Sequence, residues 1–183
     1  LVSEKADIDL DQMLANDCTL TLVNAGEETK YHGMLCEFEE LHQTEGDTFY
    51  RAVLVPRLWQ LSLYRVNEVY VEKTLPQVIE TVLEEGGLSS LDYEIALTGE
   101  YTPWSHLCEY QESHLDFLSR LMERDGVYYY FAQDGQREKL IVTDARSRHE
   151  KAGASSVAYQ PVSGLQAKAD KPTVFALVCK QKH

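Results

Sequence analysis

The chain is short of several things, and each shortage removes a class of protein. Of 183 residues only 17 are Lys or Arg against 30 Asp or Glu, a net charge of 17 − 30 = −13. So acidic a chain repels phosphate backbones and anionic lipid surfaces, which argues against nucleic-acid and membrane-surface partners. Long apolar runs are missing too. The longest stretches, such as Val127 to Ala132, are strand-sized, well below the ~18 residues of a membrane span. No secretory signal pattern is present. The four cysteines, Cys18, Cys36, Cys108 and Cys179, are widely spaced, with no C-x-x-C. They read as small buried hydrophobes, with two disulfides as the alternative in an oxidising compartment. Catalytic and nucleotide motifs are absent: no G-x-S-x-G, no H-E-x-x-H, no G-x-x-x-x-G-K-[ST] and no G-x-G-x-x-G. His32, His42, His106, His114, His149 and His183 are scattered. No cofactor or metal is expected, and no internal repeat is visible.

What is present reads as a packed fold. The apolar content is 44%, enough for one large domain or two small ones. The first third has the period of strands. "CTLTLVN" (Cys18 to Asn24) alternates, and "YHGMLCEFEELHQ" (Tyr31 to Gln43) puts Met34, Cys36, Phe38 and Glu40 on one face. After a turn at Gly46 the chain returns as Thr48 to Leu63, with Phe49, Arg51, Val53 and Val55 on one face and Tyr50, Ala52 and Leu54 on the other; Pro56 breaks its ladder. The period then changes. Lys73 to Leu88 predicts a helix capped by Thr74 and Gln77, with Pro76 in its first turn, an apolar stripe of Leu75, Val78, Ile79, Val82 and Leu83, and Gly86–Gly87 as its stop. A short strand and loop follow over Asp92 to Trp104. A second helix starts at Ser113, with Leu115, Leu118, Leu121 and Met122 as its stripe, Phe117 flanking it and Gly126 as its C′ residue. "VYYYFAQ" and "EKLIVTD", joined by "DGQR", predict a hairpin. "SSVAYQPV" and a terminal strand "TVFALVC" close the chain. The order is that of an α+β protein.

Glu112, His114 and Asp116 are the first candidates for acid–base or metal chemistry. Residues two apart on a helix point about 200° away from each other, so the three cannot converge. They read as capping acids beside a solvated histidine. A glycosidase pair of carboxylates is the second candidate, but the acids fall mostly on solvent faces, as at Glu84, Glu85, Glu123 and Asp125. Tyr128, Tyr129 and Tyr130 alternate in a strand. They suit either a glycan-stacking face or a partly buried strand with Tyr129 and Phe131 on one side and Tyr128 and Tyr130 on the other.

One long, ordered run of segments resembles a known family. "YRAVLVPRLWQLSL", "VEKTLPQVIETVLEEGGL" and above all "CEYQESHLDFLSRLMERDGVYYYF" resemble the N-terminal base of VgrG spike proteins of type VI secretion systems, which are similar to the baseplate hub proteins of contractile phage tails. Ser113, Leu115, Asp116, Phe117, Arg120, Leu121, Glu123, Gly126, Tyr128 or Tyr129, and Phe131 carry the match, together with Arg51, Pro56 and Trp59; His114 stands where the family usually has an acid, and Asp125 replaces a Glu.

The resemblance implies a phage tail hub-like base of antiparallel β-barrel units with two short helices and a helix–hairpin unit between them. On that basis residues 1–66 are part of a first barrel unit, 67–150 an α+β unit, and 151–183 a linker and the start of a further β segment. The chain would be a piece of a longer protein, lacking the first strands of the base, the following OB-like domain and the needle. The resemblance further implies a non-enzymatic structural role, a homotrimer docked on a hexameric Hcp-type tube, baseplate and sheath components as neighbours, and effectors as passengers. It also implies a place in the bacterial cytoplasm before firing and outside the cell afterwards. A cell-wall glycan hydrolase or a glycan-binding module is the alternative.

Overall fold

A computed structural model of the protein describes residues 1–5, 7–14, 16–24, 26–133, 135–149, 158–159, 173–174 and 176–179. The chain divides into two units, Leu1–Ala145 and Arg146–His183.

The first strands build one antiparallel sheet. Its members are β1 (Val2–Ser3), β2 (Asp17–Asn24), β3 (Glu27–Gln43) and β4 (Thr48–Val55), in the order β1-β4-β3-β2. The sheet curls into a half-barrel, and a short helix, α1 (Leu10–Leu14), packs on β3. β3 is long because it serves two partners. Glu27 to Met34 pair with β2, and Met34 to Gln43 pair with β4. The ladder to β4 slips between Leu35 and Glu37, and this bulge corrects the expected faces. The extra residue is Cys36. Strand parity therefore flips there, and Leu35 joins Phe38 on the side of Leu54, Ala52 and Tyr50. Leu35 and Tyr50 are buried, and Phe38 stacks on Tyr50 at 5.2 Å. The opposite side holds Glu37 and Glu39 beside Arg51.

Gly33 sits where β3 changes partner. A Cβ there would lie 2.4 Å from the Val55 carbonyl oxygen, a backbone atom that cannot swing away. Gly33→Ala should therefore separate β3 from β4 and cost about 1–3 kcal/mol, as overpacking does. Urea denaturation of the variant checks this.

The strand expected to run from Thr48 to Leu63 ends at Val55. Pro56 turns the chain into a 3₁₀ segment, Arg57–Ser62, which drives Leu58 and Leu61 into the core. Two strands that the sequence period did not announce follow. β5 (Arg65–Tyr70) pairs antiparallel with β7 (Leu107–Ser113). The helix α2 (Leu75–Glu85) lies between them in sequence, and the Gln77 side-chain oxygen accepts from both the amide and the hydroxyl of Thr74. All five residues of its expected stripe are buried. Beyond β6 (Tyr93–Ala96), α3 (His114–Asp125) leads into the hairpin of β8 (Tyr128–Gln133) and β9 (Glu138–Thr143). β6 adds to β9 in parallel, giving the order β6-β9-β8.

The core lies where α2 and α3 cover Leu140 and Val142 of β9. Phe117 is fully buried, while Leu115 is only half-buried. The expected stripe of α3 is thus rotated toward Phe117. The cysteines also differ from expectation. All four are free; Cys108 and Cys179 are exposed and Cys18 and Cys36 half-buried. Cys108 alternates with Glu109 on β7, so its outward position follows from the inward one of Glu109.

In the second unit a single turn, Arg146–Arg148, is followed by β10 (Ala158–Tyr159), parallel to β11 (Thr173–Val174). Most of "SSVAYQPV", Phe175 of "TVFALVC" and Asp134 of the hairpin turn lie outside the described residues.

Candidate functional site

The stretch with the most polar chemistry is the junction of β7 and α3. Opposite Val66 and Asn67, β7 carries one unpaired residue, Gln111, with φ +53°. A left-handed non-glycine residue is uncommon. Here it is held by its own amide donating to Asn67 Oδ1 at 3.0 Å and by Arg65 Nη1 donating to its carbonyl at 3.2 Å. The bulge lets the chain leave the sheet and start α3 three residues later. Ser113 caps the helix: its hydroxyl accepts from the Asp116 amide at 3.1 Å and lies 2.7 Å from the Asp116 carboxylate. Gly126, at φ +69°, closes the helix in the left-handed conformation that glycine adopts without penalty.

The three candidate groups part company, though not along one helix: Glu112 belongs to β7, and only His114 and Asp116 lie in α3. Glu112 takes a two-pronged ion pair from Arg120, with Nη2 at 2.6 Å and Nε at 3.2 Å, and the same guanidinium lies over the Phe117 ring. Asp116 stays at the cap. His114 is the correction. It is buried rather than solvated, with 3% of its surface exposed, and its Nδ1 lies 2.9 and 3.1 Å from the two oxygens of Glu109. Glu109 itself is 0% exposed. Tyr70 from β5 donates to Glu109 at 3.2 Å and reaches Glu85 of α2 at 3.3 Å, while Tyr64 meets the His114 ring edge-on. Burial pushes the Glu109 carboxyl up, and His114 and Tyr70 pull it back. Burial, then the charges of Glu109 and Glu85, push the Tyr70 phenol up. The network ties β5, β7, α2 and α3 together. No substrate can reach a carboxylate so enclosed.

Two other acids were not singled out by the sequence. Glu138 is buried and accepts the Arg57 amide hydrogen, and burial raises its carboxyl. It borders a cavity of ≈ 140 Å³ that also contains Asp17, His32, Arg57, Asp92 and Arg137. Arg57 pairs there with Asp17, and Arg137 stands 3.9 Å from Asp92. This is a charged joint between the curled sheet and the helical half.

Asp144, just past β9, accepts hydrogen bonds from four donors. Burial alone would raise its carboxyl, but the amides of Gly99 and Thr98 and the hydroxyls of Thr98 and Tyr101 all donate to it and hold it at about 2. A depressed carboxyl contributes stability that is complete above its ordinary value near 4 and is lost as pH falls through about 2. Asp144→Asn should cost about 1 kcal/mol at pH 7, the exposed rim of the site screening the rest. It should also flatten the fall in stability between about pH 4 and 2. Urea titrations at pH 7 and pH 3 measure both.

The remaining signature residues, Leu121, Tyr129 and Phe131, lie on α3 and β8. Leu121 is buried. Tyr129 is 37% exposed, more than the half-buried Tyr128 and Tyr130, and meets Phe131 edge-to-face at 5.8 Å. Arg124 covers the Trp104 ring at 4.7 Å. Among the described residues no group of three His, Cys, Asp or Glu side chains is placed to hold a metal, and no helix is long and apolar enough to cross a membrane.

A half-barrel of antiparallel strands followed by a helix–hairpin unit is a tail-hub architecture, and the sequence agrees over nearly its whole length. Residues 1–182 match the model of the phage tail baseplate hub (GPD) family, and the chain belongs to that family. Within it the chain is similar to the type VI secretion system spike protein VgrG1a of Pseudomonas aeruginosa, with 32% identity over 163 residues, covering 88% of this chain and 25% of that one. It is also 30% identical over 146 residues to the actin cross-linking toxin VgrG1 of Vibrio cholerae, covering 79% of this chain and 13% of the toxin. In structure it overlays an E. coli component of the type VI secretion system, itself similar to the T4 bacteriophage tail proteins gp27 and gp5. The TM-score is 0.76 at 27% identity, over 88% of this chain and 44% of the other. The chain thus spans about a quarter or less of the spike relatives' length.

Proposed function

We propose that this chain is a structural piece of the puncturing spike of a type VI secretion or related contractile injection system. It forms part of the base that trimerises and docks on the hexameric tube. The observation that carries the reading is the hub-family match over residues 1–182. The chemistry supports it. Glu109 and Glu138 are buried, Glu112 is held by Arg120 and Asp144 by four donors. These acids brace the fold and do not form an open pair for glycan hydrolysis.

On this reading the work is mechanical. Thrust from the contracting sheath passes through the base to the tip, and a rigid polar brace between sheets and helices suits that load. The protein waits in the bacterial cytoplasm and leaves through the machine. Baseplate and sheath components are its neighbours, and effectors are carried beyond the base. The V. cholerae relative is a toxin over a chain of which this region matches 13%, so the non-enzymatic role is proposed for this region alone.

Light scattering on the intact protein tests the proposal. A trimer that binds the tube protein is expected. A monomer that cleaves peptidoglycan, and loses that activity in Glu112→Gln, would overturn it.

A further inference from the structure

The curled sheet and the helical half each keep their own interior. Every residue of the main core, from Leu58 to Val142, lies beyond Pro56, and so does every half-buried apolar side chain packed against it. Leu35 and Tyr50 are buried apart from that core, on the curled sheet. Among the described strands none beyond Val55 joins this sheet. Within Leu1–Ala145 the chain therefore crosses from one half to the other once, at Pro56. What bridges the seam is polar and loosely filled. Arg57 pairs with Asp17 across it, and the His32 amide donates to Gln133 Oε1 at 3.0 Å. The charged cavity of ≈ 140 Å³ and an open groove of ≈ 300 Å³ both take lining residues from the two halves and share His32 and Glu138. The His32 ring meets Thr19 through Nδ1 at 2.9 Å, and its Nε2 is buried with no partner among the described residues. Close-packed interiors have few voids and few unpaired polar atoms. Here both fall on one seam.

We propose that Pro56 is a hinge between residues 1–55 and 57–145, and that the Asp17–Arg57 pair and the His32–Gln133 bond are the latch that sets their resting angle. Halves with separate cores, joined by one crossing of the chain and a polar seam, move relative to each other by default. Hinges are a few residues at the ends of elements, and Pro56 stands between β4 and the 3₁₀ segment. It has no amide to donate, so turning there costs no backbone donor its partner. Arg57 is anchored to its own half by its amide, which donates to the buried Glu138. Its side chain grips Asp17, which is largely exposed, and pairs so exposed are weak. The latch is therefore easily released by a charged neighbour that competes for Asp17 or Arg57. The hinge lets the curled sheet seat itself against a neighbour while the Glu109 network keeps the helical half rigid. It holds whether or not the chain serves a spike.

Hydrogen exchange of the intact protein, resolved to single amides, tests the hinge. The His32 amide is the reporter, because its acceptor lies on the other half. In wild type it should exchange at least about tenfold faster than the core amides of α2, as a partial opening short of global unfolding does. Asp17→Asn and Arg57→Gln should each speed it by a further factor of about three. Salt at about 0.5 M should do the same in wild type and nothing more in either variant. The amides within β2 and α2, and the Arg57 amide in Asp17→Asn, should not change, because their acceptors travel with them. A His32 amide as slow as those of α2, or one indifferent to either substitution, overturns the hinge. So does a rise shared by β2, which means that the sheet frays, or by α2, which means that the whole unit opens.

Discussion

Glu109→Ala is expected to destabilise the protein by about 3–5 kcal/mol, the cost of removing one partner of a buried hydrogen-bonded pair and leaving the other unsatisfied. The substitution strands the His114 imidazole, 3% exposed, and the Tyr70 hydroxyl, both of which point at the vanished carboxylate. Among the described residues Glu109 is the partner of the His114 Nδ1, and Tyr70 keeps the longer contact to Glu85. For a unit of this size the melting temperature should fall by about 10 °C or more, measured by calorimetry. Two further variants separate pair energy from packing. Glu109→Gln keeps an acceptor and should lose less. Glu109→Leu combined with His114→Phe removes both polar groups and should be far milder than the sum of the single changes, because a buried pair exchanged for apolar groups of similar volume is often neutral. A Glu109→Ala protein as stable as wild type would show that the pair is not the brace proposed here.

Phe117→Ala should cost a similar amount, about 3–5 kcal/mol, for a different reason. The ring is fully buried, stacks on Tyr70 at 5.4 Å and lies under the Arg120 guanidinium at 5.3 Å. Its loss opens a cavity between β5 and α3. It also frees Tyr70, so the two substitutions should couple: Phe117→Ala made in Glu109→Ala should cost measurably less than in wild type. Phe117→Leu should recover most of the loss, since it refills the space. Denaturant titration of the four proteins gives the coupling directly.

These effects converge on one short stretch, and the stretch shows what sequence could say. The start and stop of α3 are local matters. A Ser three residues before an Asp, and a Gly after the last apolar turn, act through hydrogen bonds and backbone freedom within a few residues. The same holds for Thr74, Gln77 and Pro76 at the head of α2, and for its five-residue stripe, where a single period decides which face is buried. The hairpin of β8 and β9 was legible for the same reason.

The misreadings share one cause. Whether His114 faces water or Glu109 depends on β7, whose five residues before the helix carry no period of their own once Gln111 is bulged out. β5 is the partner that makes β7 a strand, and it lies some forty residues earlier. The slip at Cys36 likewise shows only when β4 is laid beside β3.

The amino-acid sequence by itself determined the acidic balance, the α+β order, the limits of both helices and, through one ordered run of segments, the hub family. Each of these depends on composition or on neighbours within a turn or two. Only the tertiary structure decided that Glu109 and His114 form a pair and that Asp144 is gripped by the 98–101 loop. Those facts depend on which distant strand lies alongside, and therefore on burial. Burial turns an ordinary glutamate and histidine into a brace.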